Sequence, residues 1–185
     1  MKRQAIVLLI ALSLLLALPA AQATTLQRMS IESMSRAAQA VARVRCLSNT
    51  AVMQHGEIWT LTAFAVEQTW RGSLGPQITV RSLGGNMGAV TSTVSGVPRF
   101  RPSEEAVLFL ESSPYGDYFV LSWQQGTFRI HRDPRTSNET VAQDTSSYAV
   151  YDPRTRRTET SAATRMPIAA LQARIKAEAS LAGPR

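Results

Sequence analysis

Read from its amino end, the chain opens with Lys2 and Arg3, an uncharged Leu-rich run from Ala5 to Leu18, then Pro19 and the small-x-small triplet Ala21-Gln22-Ala23. That order predicts a secretory signal over residues 1–23, cleaved after Ala23. The apolar run has 14 residues, short of the ~20 that span a hydrocarbon core, so no transmembrane segment is expected after cleavage. Position 24 is Thr, so the lipid-modified cysteine of a bacterial lipoprotein is missing from its place.

Beyond the signal the pattern turns to short alternating segments. Thr24 to Gln39 predicts a short helix, with Ser30 as N-cap and Ile31, Met34 and Ala38 on one face. Ala40 to Leu47 alternates as a half-buried strand. A polar turn at Gln54-His55-Gly56 leads to Ile58–Trp70, a strand so long that it must bend or coil. Arg71 to Pro76 breaks it. Strands are then expected at Gln77–Leu83, Ala89–Val94, Ala106–Leu110, Tyr118–Ser122 and Thr127–His131. The unbroken apolar run Ala106–Leu110 predicts a central strand buried on both faces. Seven strands without intervening helices predict a mainly β fold, a small antiparallel barrel or sandwich of OB-like type.

The stretch 132–164 is polar. Within it Asp133-Pro134-Arg135-Thr136 recurs as Asp152-Pro153-Arg154-Thr155, and each fits a type I turn. A polar hairpin segment or a flexible one is expected there. Pro167 opens a C-terminal helix with Ile168, Leu171 and Ile175 in a stripe, stopped by Gly183 and Pro184. The expected organisation is thus a signal at 1–23, a β domain at 24–131, the polar segment at 132–164 and a C-terminal helix at 165–185.

Composition narrows the function. One cysteine and two histidines exclude an intrachain disulfide scaffold and a four-ligand zinc site. Removing Lys2 and Arg3 lowers the formal charge from +7 to +5, and every basic residue left is arginine except Lys176. Arginine suits bidentate carboxylate or phosphate contacts. Cys46 lies in a strand and reads as a small core residue. His55 and His131 stand beside no nucleophile motif. His131 and Asp133 form an H-x-D pair with no third metal ligand evident. Gly84-Gly85-Asn86-Met87-Gly88 precedes a β pattern without lysine, so the glycines serve a bulge or hairpin rather than a phosphate loop.

What remains is a basic set interleaved with aromatics. Among the arginines and aromatics weighed, including Arg81 and Arg129, the candidate ligand-binding residues are Arg43, Arg45, Trp59, Arg99, Phe100, Arg101 and Trp123. Small β-barrels bind single-stranded nucleic acid with such a face. Export makes nucleic acid a poor ligand and an anionic glycan or lipid head group the more sensible one.

Three stretches carry a resemblance. The first is Ile58-Trp59-Thr60 leading to Trp70-Arg71-Gly72. The second is Gly84-Gly85 and Gly88, followed by Val94-Ser95-Gly96-Val97-Pro98-Arg99-Phe100. The third is Glu104 to Leu110, followed by Gln125-Gly126-Thr127-Phe128. From about Met34 to Ile130 the chain resembles a group of uncharacterised secreted bacterial β-domain proteins, with Cys46 where that group tends to have glycine. The resemblance implies an exported β domain and brings no activity and no functional residues. The layout is also similar to netrin-like and tissue-inhibitor-of-metalloproteinase modules of the OB-fold. Their N-terminal Cys-x-Cys is absent here, so metalloprotease inhibition is not implied.

The expected function is a non-enzymatic binding or protein-interaction module of the cell envelope, periplasmic or secreted, with a protein partner and no cofactor or metal. The alternatives are an envelope hydrolase whose carboxylates, Glu57, Glu104 or Glu105, converge in space, and a binder of an anionic glycan or lipid through the Arg/aromatic face. A structural partner of a secreted machine is a third.

Overall fold

A computed structural model describes residues 25–144, 146, 148–159 and 164–181. The expected signal at residues 1–23 and the Gly183–Pro184 stop lie outside the described residues. The fold is mainly β, with a short helix near its amino end and a longer one at its carboxyl end. The strands are β1 Thr25–Gln27, β2 Ala40–Gln54, β3 Glu57–Arg71, β4 Gln77–Leu83, β5 Gly85–Met87, β6 Val90–Ser92, β7 Glu105–Ser112, β8 Tyr118–Val120, β9 Thr127–Arg132, β10 Glu139–Gln143, β11 Ala149–Asp152, β12 Arg157–Glu159 and β13 Thr164–Pro167. The helices are α1 Ile31–Ala37 and α2 Ile168–Leu181, and Trp123–Gly126 forms a 3-10 turn.

The framework is the β2–β3 hairpin. His55 and Gly56 both have positive φ, 52° and 81°, the geometry of a two-residue turn whose twist matches its strands. Two straight 15-residue strands would overrun a domain of this size. Register shifts at Val41/Ala42, Arg43/Val44 and Cys46/Ser48 bend them instead. The bending lets the ladder run β7–β2–β3–β4–β8, after which β8 pairs again with β7 through Leu110↔Val120, Glu111↔Phe119 and Ser112↔Tyr118. β4 meets β8 in parallel at Val80↔Tyr118. From β7 the same sheet continues outward through β9 and β10 to β13.

Curling gives the sheet two buried faces and the protein two cores. Inside the curl Val44, Cys46, Phe64, Val80, Leu108 and Leu110 pack with Phe100. On the outside Val41, Trp70, Val107, Phe109, Phe128 and Val141 are covered by Ile31 and Met34 of α1 and by Leu171 and Ile175 of α2. Ala106 to Leu110 is shared by both and fully buried, which is why that run carries no polar residue. Among the described residues no helix is long and apolar enough to cross a membrane.

Several boundaries move from their expected places. The helix expected over Thr24–Gln39 covers only Ile31–Ala37, because Thr25–Gln27 finds a parallel partner in β11. Ser30 caps it, its Oγ accepting from the Ser33 N–H at 3.1 Å. The strand expected to stop at Leu47 runs on to Gln54. The strand expected over Ala89–Val94 shrinks to Val90–Ser92, paired with β5 across Gly88. Pro167 ends β13 and does not open α2. The two Asp-Pro-Arg-Thr repeats each sit in a turn between antiparallel strands, β9–β10 and β11–β12. In each the Asp carboxylate accepts the N–H two residues on, at 2.7 Å for Asp133 and 2.9 Å for Asp152.

Candidate functional site

Between β4 and β7 the chain makes one long excursion, from Gly84 to Glu104, and its stretch from Val97 to Arg101 passes three cavities in turn. Two glycines begin it. Gly84 has φ +83°, and a Cβ there would come within 2.6 Å of the Ser92 carbonyl oxygen and 2.5 Å of Arg99. A Cβ at Gly85, with φ +150°, would come within 2.4 Å of Thr60 Oγ1. The missing side chains let a guanidinium lie against the backbone. Arg99 fills that space, donating to the carbonyl oxygens of Gly84 and Leu83, each at 2.9 Å, and to Thr60 Oγ1 at 3.0 Å.

The next residue anchors the segment. Phe100 enters the inner core edge-on to Phe64, with ring centres 5.0 Å apart. Its carbonyl oxygen accepts from Asn49 Nδ2 at 2.9 Å, and Asn49 Oδ1 accepts from Thr62 Oγ1 at 2.7 Å. Asn49, Thr60 and Thr62 belong to β2 and β3 where the inner face turns from apolar to polar. With Asn86, Thr93 and Arg99 they line an open cavity of about 470 Å³.

On the other side of Phe100 lies a broader groove of about 760 Å³, bordered by Arg101, Glu104, Arg129 and His131. Arg129 stacks over Phe100 at 5.5 Å, donates to the Arg99 carbonyl oxygen at 2.9 Å and is ion-paired with Glu104. Burial pushes its guanidinium below the ordinary arginine value, opposed by the charge of Asp144. Burial lowers Arg99 in the same way, with no carboxylate to oppose it.

The third cavity is an aromatic cleft of about 110 Å³ bounded by Trp59, Phe119 and Trp123, with Val97 and Pro98 on its near wall. Trp59 and Phe119 lie 6.2 Å apart. Arg81 is the polar element. It donates to both Asp117 carboxylate oxygens, at 2.8–3.3 Å, and to Gln54, and only 7% of its side chain is exposed. Its guanidinium lies 4.2 Å from the ring of Tyr115, which is half exposed, and 5.7 Å from that of Trp59. Ser113 also donates to Asp117, and Arg81, bonded to both Asp117 and Gln54, ties the loop after β7 to the hairpin end of β2.

The expected site residues therefore divide. Arg99, Phe100 and Arg101 border the two polar cavities, and Trp59 and Trp123 both line the cleft. Arg43 and Arg45 belong to neither group. They stand on the outer face of β2, where Arg43 bonds Glu67 at 3.0 Å, Glu105 at 2.5 Å and Glu139 at 2.8 Å, and Arg45 bonds Glu67 at 3.0 Å. Their charge is already neutralised within the protein, and Phe100 presents almost no surface of its own. Asn49, Thr60, Thr62, Tyr115 and Phe119 were not singled out from the sequence. Period-2 alternation places Thr60 and Thr62 on the inner face with Phe64, and that is the only signal the sequence carries for them.

The carboxylates of the hydrolase alternative have different partners. Glu104 is held by Arg129 and the Arg101 N–H, Glu105 by Arg43, and Glu57 is exposed beside the hairpin turn. Among the described residues no three His, Cys, Asp or Glu side chains gather as a metal set. Cys46 is buried inside the curl, and burial pushes its thiol up.

Fold and cavities define a mainly β module with three cavities beside one segment. Compared with known proteins, the chain matches no family model, no curated protein and no solved structure.

Proposed function

We propose that this protein is an exported, non-enzymatic interaction module of the cell envelope that engages a protein partner at the cleft of Trp59, Phe119 and Trp123. The observation that carries the reading is the fixing of Arg81 by Asp117 within that aromatic group. Its bidentate bond to Asp117 and its contact with Tyr115 pre-organise a patch of Trp, Tyr and Arg, the residue types that dominate binding energy at protein interfaces. The engagement of Glu104 by Arg129 and of Glu105 by Arg43 supports binding over hydrolysis. The strand ring, with its third and fifth strands in parallel contact, supports an OB-like module, a fold that binds ligands on its sheet face and adjoining loops. The order of basic, apolar and small residues at 1–23 supports export.

The test is capture from a detergent-solubilised envelope fraction of the producing organism, quantified by mass spectrometry, with wild type, Trp59→Ala and Tyr115→Ala as baits. One saturable partner is expected, and each variant should retain it about thirtyfold less, as loss of a 2 kcal/mol hot spot requires. Tyr115 is exposed, so its variant should melt with the wild type. Equal capture by all three baits would place the interface elsewhere, and no saturable partner would end the reading.

A further inference from the structure

We propose that the cavity beneath Gly84–Phe100 binds a small saccharide bearing one anionic group, carboxylate or phosphate, which Arg99 neutralises. The inference concerns a different cavity from the aromatic cleft and stands independently of the protein-interaction reading.

Its basis is a charge held in place without a counter-charge. Arg99 has four acceptors, the carbonyl oxygens of Leu83, Gly84 and Ser92 and the hydroxyl of Thr60, and all four are neutral. Among the described residues no carboxylate lies within ion-pair distance of it, whereas Arg81 and Arg129 each have one and Arg43 has three. A half-buried cation is usually matched by an anion, because neutral dipoles replace the lost water and leave the charge itself unbalanced. The arrangement is built: Gly84 has no room for a Cβ beside Arg99, and Thr60 both accepts from Arg99 and donates to Gly84 at 2.7 Å.

The surrounding walls define what accompanies the anion. On the sheet side Asn49 keeps one amide hydrogen beyond its bond to Phe100 and Thr60 and Thr62 keep acceptor capacity beyond their bonds to Gly84 and Asn49, while Asn86 and Thr93 add an amide and a hydroxyl from the excursion. Pro98 and Phe100 add apolar surface. Neutral hydrogen-bonding groups around one cation suit a polyhydroxylated ligand with a single anionic group, where a bare inorganic anion would leave those groups unused. The volume, about 470 Å³, is that of a small-molecule site.

Calorimetric titration of the protein with glucuronic acid, glucose 1-phosphate, glucose and inorganic phosphate tests this, with amide shifts read at Thr60, Asn86 and Thr93. At least one charged sugar should bind saturably, tenfold or more tighter than both glucose and phosphate, moving those three amides and weakening as salt rises. Arg99→Gln keeps an amide donor for the backbone carbonyls and removes the charge, so it should lower that affinity at least tenfold. Because Arg99 also holds the excursion, Thr93→Val supplies a variant at an exposed position, which should weaken binding several-fold with an unchanged melting temperature. The proposal is overturned if neither charged sugar binds, if glucose or inorganic phosphate binds as well as the charged sugar that does, or if Arg99→Gln binds like wild type. Binding confined to phosphatidylglycerol vesicles would equally overturn it, in favour of a membrane surface.

Discussion

The cluster around Arg43 makes a prediction with a worked sign. Glu139, at the start of β10, accepts from Arg43 through both oxygens at 2.8 and 2.9 Å and from Arg132 at 2.6 Å. Arg43 first, then Arg132, hold its carboxyl down at about 2, against an ordinary value of 4.5. At about 1.4 kcal/mol per tenfold change in proton affinity, that difference bounds the contribution at roughly 3 kcal/mol. With 19% of the side chain exposed, solvent screening brings the expected contribution to about 1–2 kcal/mol. The folded-state value lies below the unfolded one. The stabilisation is therefore complete above about pH 4.5 and is lost as pH falls toward 2. Glu139→Gln preserves shape and one acceptor while removing charge. Urea unfolding of wild type and variant should differ by about 1–2 kcal/mol at pH 7 and by less than half of that at pH 2.5. A deficit that is the same at both pH values would mean that Glu139 acts through packing or neutral hydrogen bonds, and the electrostatic reasoning would be refuted. A deficit below about 0.3 kcal/mol at pH 7 would show that the cluster of Glu67, Glu105 and Glu139 with its arginines cancels its own desolvation.

Two further outcomes follow from the cores. Leu171→Ala, at a fully buried position of α2, should cost about 2–5 kcal/mol in denaturant unfolding, whereas Lys176→Ala on the exposed face of the same helix should change stability by less than about 0.5 kcal/mol. The Cys46 thiol, 1% exposed and pushed up by burial, should resist a thiol-specific reagent at pH 8 in the native protein and react at the ordinary rate in 6 M guanidinium; rapid native labelling would contradict its burial.

How much of this was legible from the sequence depends on where each element finds its partner. Ala106–Leu110 announced its double burial because no position in it is polar, and α2 announced its stripe. The His55-Gly56 turn was readable because hairpin geometry is local. Thr25–Gln27 was not, since its strand conformation comes from a ladder with Ala149–Tyr151 far along the chain. The site divides in the same way. In a strand pattern, an arginine awaiting a ligand looks identical to one already paired. Arg43 is removed from the candidates only by Glu67, Glu105 and Glu139, which approach it from three other strands. Arg99 stays because nothing comparable approaches it. Arg81 owes its immobility to Asp117, which the sequence presents merely as part of a turn.

The pairing of the two helices bears on how the molecule is completed. Arg36 bonds Glu178 and Arg174 bonds Glu32, each across 142 residues, and between these clasps α2 covers the same outer core that α1 covers. A chain emerging amino end first holds α1 and the β2–β3 hairpin early, yet the cover that α1 gives Val41, Trp70 and Phe109 is completed only when Leu171 and Ile175 arrive. Every shorter length of nascent chain therefore presents an apolar sheet face to its surroundings. The first turns of α2, which carry Leu171 and Ile175, act as the latch: a protein truncated before Leu171 would keep its inner core and expose its outer one, making it a client for holding factors and proteases rather than a smaller version of the same fold.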